Sequence, residues 1–262
     1  MCHGTNYWEA QLGRAPLLDA QHFEGHMKIA AELGFQSISY EQLADWRLGK
    51  GGLPDRPIML DFDHPNRSIL RRLWPVMERS GFTGNLFVNT SPMEKDRDDL
   101  YMRWEDIRTL LTSDWHIGSH THNHYDLSYL AGKDPSGALI REQMERCDDL
   151  LEEHLGIVPK DFAFTGTSWS RVAEDEARKR YRFGRLWIVG AHYDTDEGRI
   201  RYADLAGSSR ADERDGGPPH ETRYITKDTD PYRLPSMELT ALIYEHDAFR
   251  KYLEGALAGE AT

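Results

Sequence analysis

Trp115-His116-Ile117-Gly118-Ser119-His120-Thr121-His122-Asn123-His124-Tyr125-Asp126-Leu127-Ser128 is the stretch on which the reading of this chain rests. Three of the 12 histidines, His120, His122 and His124, alternate within five residues of it. They follow a short apolar run and two small residues, a pattern that suits a strand ending in a loop. Neutral imidazole is a ligand for zinc and other late divalent ions, so the stretch is a candidate metal site. His120 and His124 stand at i and i+4, and a helical turn after the strand would bring both rings to one face. An isolated His-x-x-x-His arises easily by chance, and the bland reading is a solvated loop. The metal reading gains only if a second, distant cluster supplies another ligand and a base.

Working outward, strand and helix alternate along the whole chain. Helix is expected over His22 to Leu33, closed by Gly34, and over Glu41 to Leu48; a short strand is expected over Phe35 to Ser39. Pro57-Ile58-Met59-Leu60-Asp61-Phe62-Asp63 reads as one strand buried on both faces and ending in charge. Ser68 to Ser80 reads as a helix, with Pro75 kinking its first turns or marking where it becomes regular. Strands are expected at Gly84 to Val88, His116 to Gly118, Asp161 to Phe164 and Leu186 to Gly190. Helices are expected at Arg103 to Leu111, Pro135 to Leu155 and Arg171 to Tyr181, with a closing helix over Leu239 to Leu257. Ala206 to Asp230, rich in Gly, Asp, Arg and Pro, reads as a long surface loop. Such alternation implies parallel strands with crossover helices, in a barrel or an open doubly wound sheet. Ligands then gather at the carboxyl ends of strands, where the His cluster and the acidic end of the Pro57 strand both lie.

At 262 residues the chain is expected to form a single domain, residues 1–262. It carries 32 Lys+Arg against 44 Asp+Glu, a net charge of −12, with no basic run, which argues against nucleic acid and acidic membranes as partners. Cys2 and Cys147 are too few for a disulfide framework and are read as reduced thiols. The first nine residues have neither the basic start nor the apolar core of a signal peptide, and no apolar run approaches the ~20 residues of a membrane span. The simplest expected location is the cytoplasm; oligomeric state, including a homo-oligomer, is left open.

The second cluster is Asp61-Phe62-Asp63-His64-Pro65, where Asp61 and Asp63 share one face of a strand and meet an imidazole at its mouth. Here the chain resembles the polysaccharide deacetylase family, the metal-dependent chitin and peptidoglycan deacetylases and their relatives. Family members carry a strand ending in Thr-Phe-Asp-Asp-Gly and, later, Gly-Ser-His-Thr-x-x-His-x-Asp-Leu, which Gly118 to Leu127 matches closely. Ser80 to Val88 is similar to the Gly-Phe-x-Ala-Thr-Phe-Phe-Val strand, and Met102 to Ile107 to the Leu-Thr-Trp-x-x-Leu helix start. The resemblance covers His22 to Phe164 well and runs more loosely to about Leu253. It implies a distorted (β/α) barrel of seven or eight strands. It also implies a divalent metal, zinc first, whose water attacks an acetamide carbonyl with an aspartate as general base; such a metal lowers the pKa of water to around 7 and polarises the carbonyl. The substrate would be a small molecule or an oligosaccharide bearing an acylated nitrogen.

Three departures bear on the site. The first motif admits two registers: without a gap, Asp63 is the base and His64 joins His120 and His124 as metal ligands, whereas in an Asp-x-Asp variant Asp61 is the base and Asp63 a ligand. The ungapped register keeps Pro57 and Ser68 aligned and leaves Asp61 as an outer or substrate group. The third motif lacks its arginine and proline, reading Phe162-Ala163-Phe164-Thr165-Gly166-Thr167; the turn at Thr165 and Gly166 could still offer an oxyanion-binding amide, which needs no particular side chain. A late strand ending in His-Asp supplies the general acid in many members; His246-Asp247 and His192 compete for that place, while His3 reads as a surface histidine. The leading expectation is therefore a hydrolase removing an acyl group, acetyl first, from the nitrogen of an amino sugar or related amide. A catalytically silent carbohydrate-binding barrel, a hydrolase of a non-sugar amide or ureide, and a closed structural metal site are the alternatives.

Overall fold

The computed structural model describes residues 1–2, 18–95, 99–166, 168–188, 193–194, 199–200, 224–239 and 243–258. His3, Thr167, His192 and the 206–223 part of the expected surface loop lie outside the described residues. The chain enters through α1 (Ala20–Glu32), where the Asp19 side chain accepts from His22 N at 2.7 Å and so satisfies one of the orphan amides of the first turn. Then come β1 (Gln36–Ser37) and α2 (Tyr40–Arg47), the latter opened by a reciprocal Ser39–Gln42 capping box.

The expected single strand over Pro57 to Asp63 is instead two: β2 (Pro57–Ile58), paired parallel with β1, and β3 (Asp61–Asp63), paired parallel with β4 (Asn85–Val88). The chain changes partner at Met59 and Leu60, since Ile58 O accepts from Ile38 N whereas Leu60 O accepts from Asn85 N. Both ends of the apolar run satisfy their backbone groups, but in different sheets. After β3 a π-type turn over Ile69–Leu73 leads into α3 (Trp74–Arg79), with Pro75 in its first turn, as its missing N–H allows. The chain continues through α4 (Trp104–Leu111), β5 (His116–Ser119), α5 (Leu127–Lys133), α6 (Ala138–Leu155), β6 (Asp161–Ala163), α7 (Arg171–Arg178) and β7 (Phe183–Ile188). A short antiparallel pair, β8 (Tyr193–Asp194) and β9 (Arg199–Ile200), precedes β10 (Leu234–Met237) and α8 (His246–Leu257).

Six strands make one all-parallel sheet in the order β10-β7-β6-β5-β4-β3. The first two residues join its edges. The Met1 ammonium donates to Met237 O at 2.7 Å and Leu239 N donates to Met1 O at 3.0 Å, while Cys2 N donates to Asp61 O at 2.9 Å and Asp63 N to Cys2 O at 3.1 Å. Met1-Cys2 is thus a seventh, two-residue rung that closes the curled sheet into a distorted (β/α) barrel, pairing with the carboxyl end of β10 on one side and with β3 on the other. The closing helix starts at His246, later than expected, because Leu239 is still hydrogen-bonded into the barrel wall. β10 was not expected at all: Pro235 argues against a central strand. Its place is permitted because the missing N–H lies on the Met1 side, where the short N-terminal rung reaches only Met237 and Leu239.

A large core lies between sheet and helices, built on Phe23, Phe62, Leu86, Ile117, Met144 and Phe162, and a smaller one fills the barrel with Tyr40, Phe87, Ala163, Phe183 and Leu234. Gly118 is required where the interior is tightest, since a Cβ there would stand 2.5 Å from the Phe87 ring. Both cysteines are free and buried, and burial pushes the Cys147 thiol up to about 12, so it remains a packed thiol donating to Val88 O at 3.2 Å. Among the described residues no helix is long and apolar enough to cross a membrane.

α8 rests on α1 through histidines: the His22 and His246 rings stack at 4.2 Å, His246 Nε2 donates to His22 O at 2.9 Å, and His22 Nε2 donates to Tyr244 O at 2.7 Å. Buried His26 stands between two carbonyls, His22 O at 3.1 Å and Tyr244 O at 2.8 Å. Burial, then the neighbouring His246 ring, lowers its pKa from 6.5 to about 4. The unfolded chain therefore binds more protons in that interval, so stability present above pH 6.5 declines as pH falls towards 4, by roughly 3 kcal/mol from this group. Urea midpoints measured at pH 7 and pH 4.5 are expected to fall less in His26→Gln than in the native chain; equal losses in both would refute the assignment.

Candidate active site

The site is assembled at the carboxyl ends of β3 and β5. On β3 the two-residue period turns Asp61 and Asp63 into the barrel, and both are buried. His64 follows at φ +67°, a left-handed conformation that carries its ring across the strand end. His120 directly follows β5, and the chain then turns back through Thr121 (φ +65°) and His124 (φ +58°). The expected helical turn between His120 and His124 is absent: residues 120–126 form a loop, and Thr121 Oγ1 accepts from His124 N at 3.1 Å. Two left-handed residues, not helix periodicity, bring the rings together. Such non-glycine conformations cost of order 1–3 kcal/mol each and persist where surrounding structure enforces them, commonly at functional sites.

One ligand atom from each of His64, His120 and His124 lies within 4.8 Å of the others. Ring centroids are 5.2 Å apart for His64 and His120, 4.6 Å for His64 and His124, and 4.8 Å for His120 and His124. Their tautomers are set from outside. His64 Nδ1 donates to Asn89 Oδ1 at 2.8 Å, and His120 Nδ1 donates to Ala163 O at 2.8 Å. A carbonyl only accepts, so the proton sits on Nδ1 and Nε2 carries the lone pair, the outer-shell arrangement typical of metal-ligating imidazole. This donor set fits a divalent ion.

Asp63 is 1% exposed, with Oδ2 3.9 Å from His120 Nε2 and Oδ1 paired with the Arg185 guanidinium. Asp61 lies one pleat deeper, accepting from Tyr40 Oη at 2.8 Å and Asn85 Nδ2 at 3.0 Å, with Arg185 Nε at 3.6 Å. Burial, then the Asp61 charge, holds the Tyr40 phenol well above its ordinary pKa, so it stays a donor. Arg185, on β7, is itself buried and lies over the Phe87 ring at 5.1 Å. Thus His64 joins the ring cluster, whereas both aspartates stand beside it, joined through Arg185.

Other expected residues sit apart. His122 Nδ1 bonds Thr90 Oγ1 at 2.8 Å, outside the three-ring group. Thr165 is buried, with Oγ1 donating to Tyr125 O at 2.7 Å, and Gly166 takes φ +55° in the turn above β6. His246 is engaged with α1, as described. Arg185, Tyr40, Asn85 and Asn89 were missed in the sequence. An arginine inside the otherwise apolar strand Phe183-Gly184-Arg185-Leu186-Trp187 was the available signal, since a charge there demands a buried partner.

The polysaccharide deacetylase family model matches residues 50–181. The chain is 22% identical over 156 residues to the uncharacterized protein YlxY of Bacillus subtilis (strain 168), covering 58% of this chain and 44% of that protein. It therefore spans less than half the length of this curated relative. Among solved structures it is similar to the Streptococcus pyogenes deacetylase PplD in complex with acetate, with TM-score 0.68, 13% identity, and coverage of 96% of this chain and 94% of that one. A putative polysaccharide deacetylase of Bacillus anthracis gives TM-score 0.66 at 16% identity, over 96% of this chain and 66% of that one. IcaB of Ammonifex degensii gives 0.57 at 21% identity, over 64% of this chain and 75% of that one. At these identities the structural likenesses speak for the fold, and the family match covers half of the chain from β2 to α7. The chain belongs to the polysaccharide deacetylase family.

Proposed function

We propose that this chain is a metal-dependent hydrolase that removes an acyl group, acetyl first, from the nitrogen of an amino sugar or a related amide, with Asp63 as general base. The observation that carries the reading is the split use of one buried carboxylate. One oxygen of Asp63 is held by Arg185 while the other stands 3.9 Å from Nε2 of His120, beside three converging imidazoles. His64, His120 and His124 would hold the ion, which supplies polarisation of the amide carbonyl and a water acidic enough to react near neutral pH. Asp63 Oδ2 takes the proton from the attacking water, and Arg185 fixes the direction in which that oxygen faces. Asp61, occupied by Tyr40, Asn85 and Arg185, orients Arg185 from behind. The turn at Thr165 and Gly166, which follows β6, would supply a backbone amide to the carbonyl oxygen as it gains charge. The deacetylase PplD holds acetate, the product of such a reaction, and that likeness supports acetyl as the group removed.

Elemental analysis of protein supplied with zinc or cobalt, together with acetate release from N-acetylated chitooligosaccharides and small N-acetyl amides, tests the proposal. About one equivalent of metal is expected in the native chain and in Asp63→Asn, and none in His64→Ala or His120→Ala. Metal loss in the Asp63 variant with retention in the His64 variant would move the base to Asp61. A native chain that takes up no metal, or that binds sugar without releasing acetate, would leave the carbohydrate-binding alternative.

A further inference from the structure

The last strand ends in a titratable group that the site as described does not use. Glu238 directly follows β10 and is 2% exposed. Two separate registers determine the side to which it points. β10 lies parallel to β7 with Leu234 opposite Arg185, and Arg185 faces inward to Asp61 and Asp63. Opposed residues of neighbouring strands share a side and successive residues alternate, so Leu234, Ser236 and Glu238 face the interior. Leu234 is indeed packed in the barrel core with Tyr40, Phe87 and Phe183. From the other edge, the bonds of Met1 to Met237 O and Leu239 N set Glu238 opposite Met1, and the Cys2–Phe62 bridge sets Met1 opposite Asp61. Asp61 faces inward, so this route gives Glu238 the same interior orientation.

Height along the barrel follows from the closure. Carried round the sheet through β4, β5, β6 and β7, the pairings set Asp61 level with Asp230, whereas Met1 sets it level with Glu238. The circuit closes with a stagger of eight residues (238 against 230), the tilt expected of a closed barrel. Shared over seven strands, that stagger lifts Glu238 above Asp61 to the layer of Asp63 and His120. Glu238 is therefore a buried, inward carboxyl group in the layer of the three imidazoles, entering from the opposite wall to β5.

Amide hydrolysis needs two proton movements, one from water and one to the departing nitrogen. Asp63 serves the first. Asp61 is bound by Tyr40, Asn85 and Arg185, and His246 spends Nε2 on His22 O. We propose that Glu238 is the proton donor to the leaving amine, an inference that rests on the proposed amide hydrolysis. As the new C–O bond forms, a water proton passes to Asp63. As the C–N bond breaks, its electron pair stays on nitrogen, which takes the proton of the Glu238 carboxyl group. Solvent exchange returns the Asp63 proton to Glu238, and the products are the acid and the free amine.

The experiment compares the zinc-loaded full chain with Glu238→Gln, Glu238→Asp and Asp63→Asn on two probes, an N-acetylated chitooligosaccharide and 4-nitrophenyl acetate. The nitrophenolate of the second leaves without a proton. Glu238→Gln is expected to lower kcat on the amide by about 10²- to 10³-fold while holding the ester rate within a few-fold, and Glu238→Asp to recover part of the amide rate. Asp63→Asn is expected to lose both. Equal losses of Glu238→Gln on both probes, or an unchanged amide rate, overturn the assignment while leaving the hydrolase intact. A native chain inactive on both probes defeats the proposed hydrolase and this inference with it; metal content and thermal melting of each variant separate these outcomes from misfolding.

Discussion

Asp63→Asn is expected to lower kcat for amide hydrolysis by about 10²- to 10⁴-fold while leaving the metal content unchanged. The substitution is close to isosteric. The amide oxygen can still accept from Arg185, and the amide nitrogen replaces the oxygen that stands 3.9 Å from His120 Nε2. What disappears is an acceptor for the water's proton, not a ligand or a packing group. Single-turnover kinetics and elemental analysis on the same preparation check the two halves together. Full turnover in Asp63→Asn, combined with a comparable loss in Asp61→Asn, would show that the deeper carboxylate is the base.

The second large effect is on stability. Arg185→Met is expected to cost about 3–5 kcal/mol, because it removes the guanidinium from two buried carboxylates and leaves their charges uncompensated in the barrel. For a chain of this size that corresponds to a fall in Tm on the order of 10 °C. Arg185→Lys should lie between, since an ammonium can pair with one aspartate but cannot span from Asp61 to Asp63 as the planar fork does. Calorimetry of the three proteins decides the matter. A Met variant that melts with the native chain would show that neither aspartate depends on Arg185, and would weaken the case that Arg185 aims Asp63.

Much of this was legible from residues alone because the informative features are local. Gly118-Ser119-His120 could be read as a strand ending in ligands, and the alternation of helix and strand pointed to parallel strands with the functional groups at their carboxyl ends. The two registers at Asp61 to His64 could not be separated by sequence, since both place a carboxylate and a possible ligand at the same strand mouth. Their geometry differs through His64 at φ +67°, which turns one ring into the cluster and leaves Asp63 beside it. The same kind of turn at Thr121 and His124 replaces the helix that the i, i+4 spacing suggested.

The closure of the barrel and the wiring of its interior were not legible, and the reason is distance along the chain. Met1 joins Met237, Cys2 joins Asp61, and Arg185 joins Asp63, pairs whose members have no sequence relation that periodicity can detect. β10 was hidden because Pro235 reads as a strand breaker until the direction of its missing N–H is known. By itself, then, the sequence determined the parallel αβ order, the His120–His124 half of the site and the acidic mouth of β3, because each depends on neighbours within a few residues. Only the tertiary structure decided which histidine completes the cluster, what holds the two aspartates, and that Glu238 faces the same layer. Those properties are set by register and closure between strands up to the whole chain apart, where backbone hydrogen bonds and buried charge pairing, not local propensity, choose the arrangement.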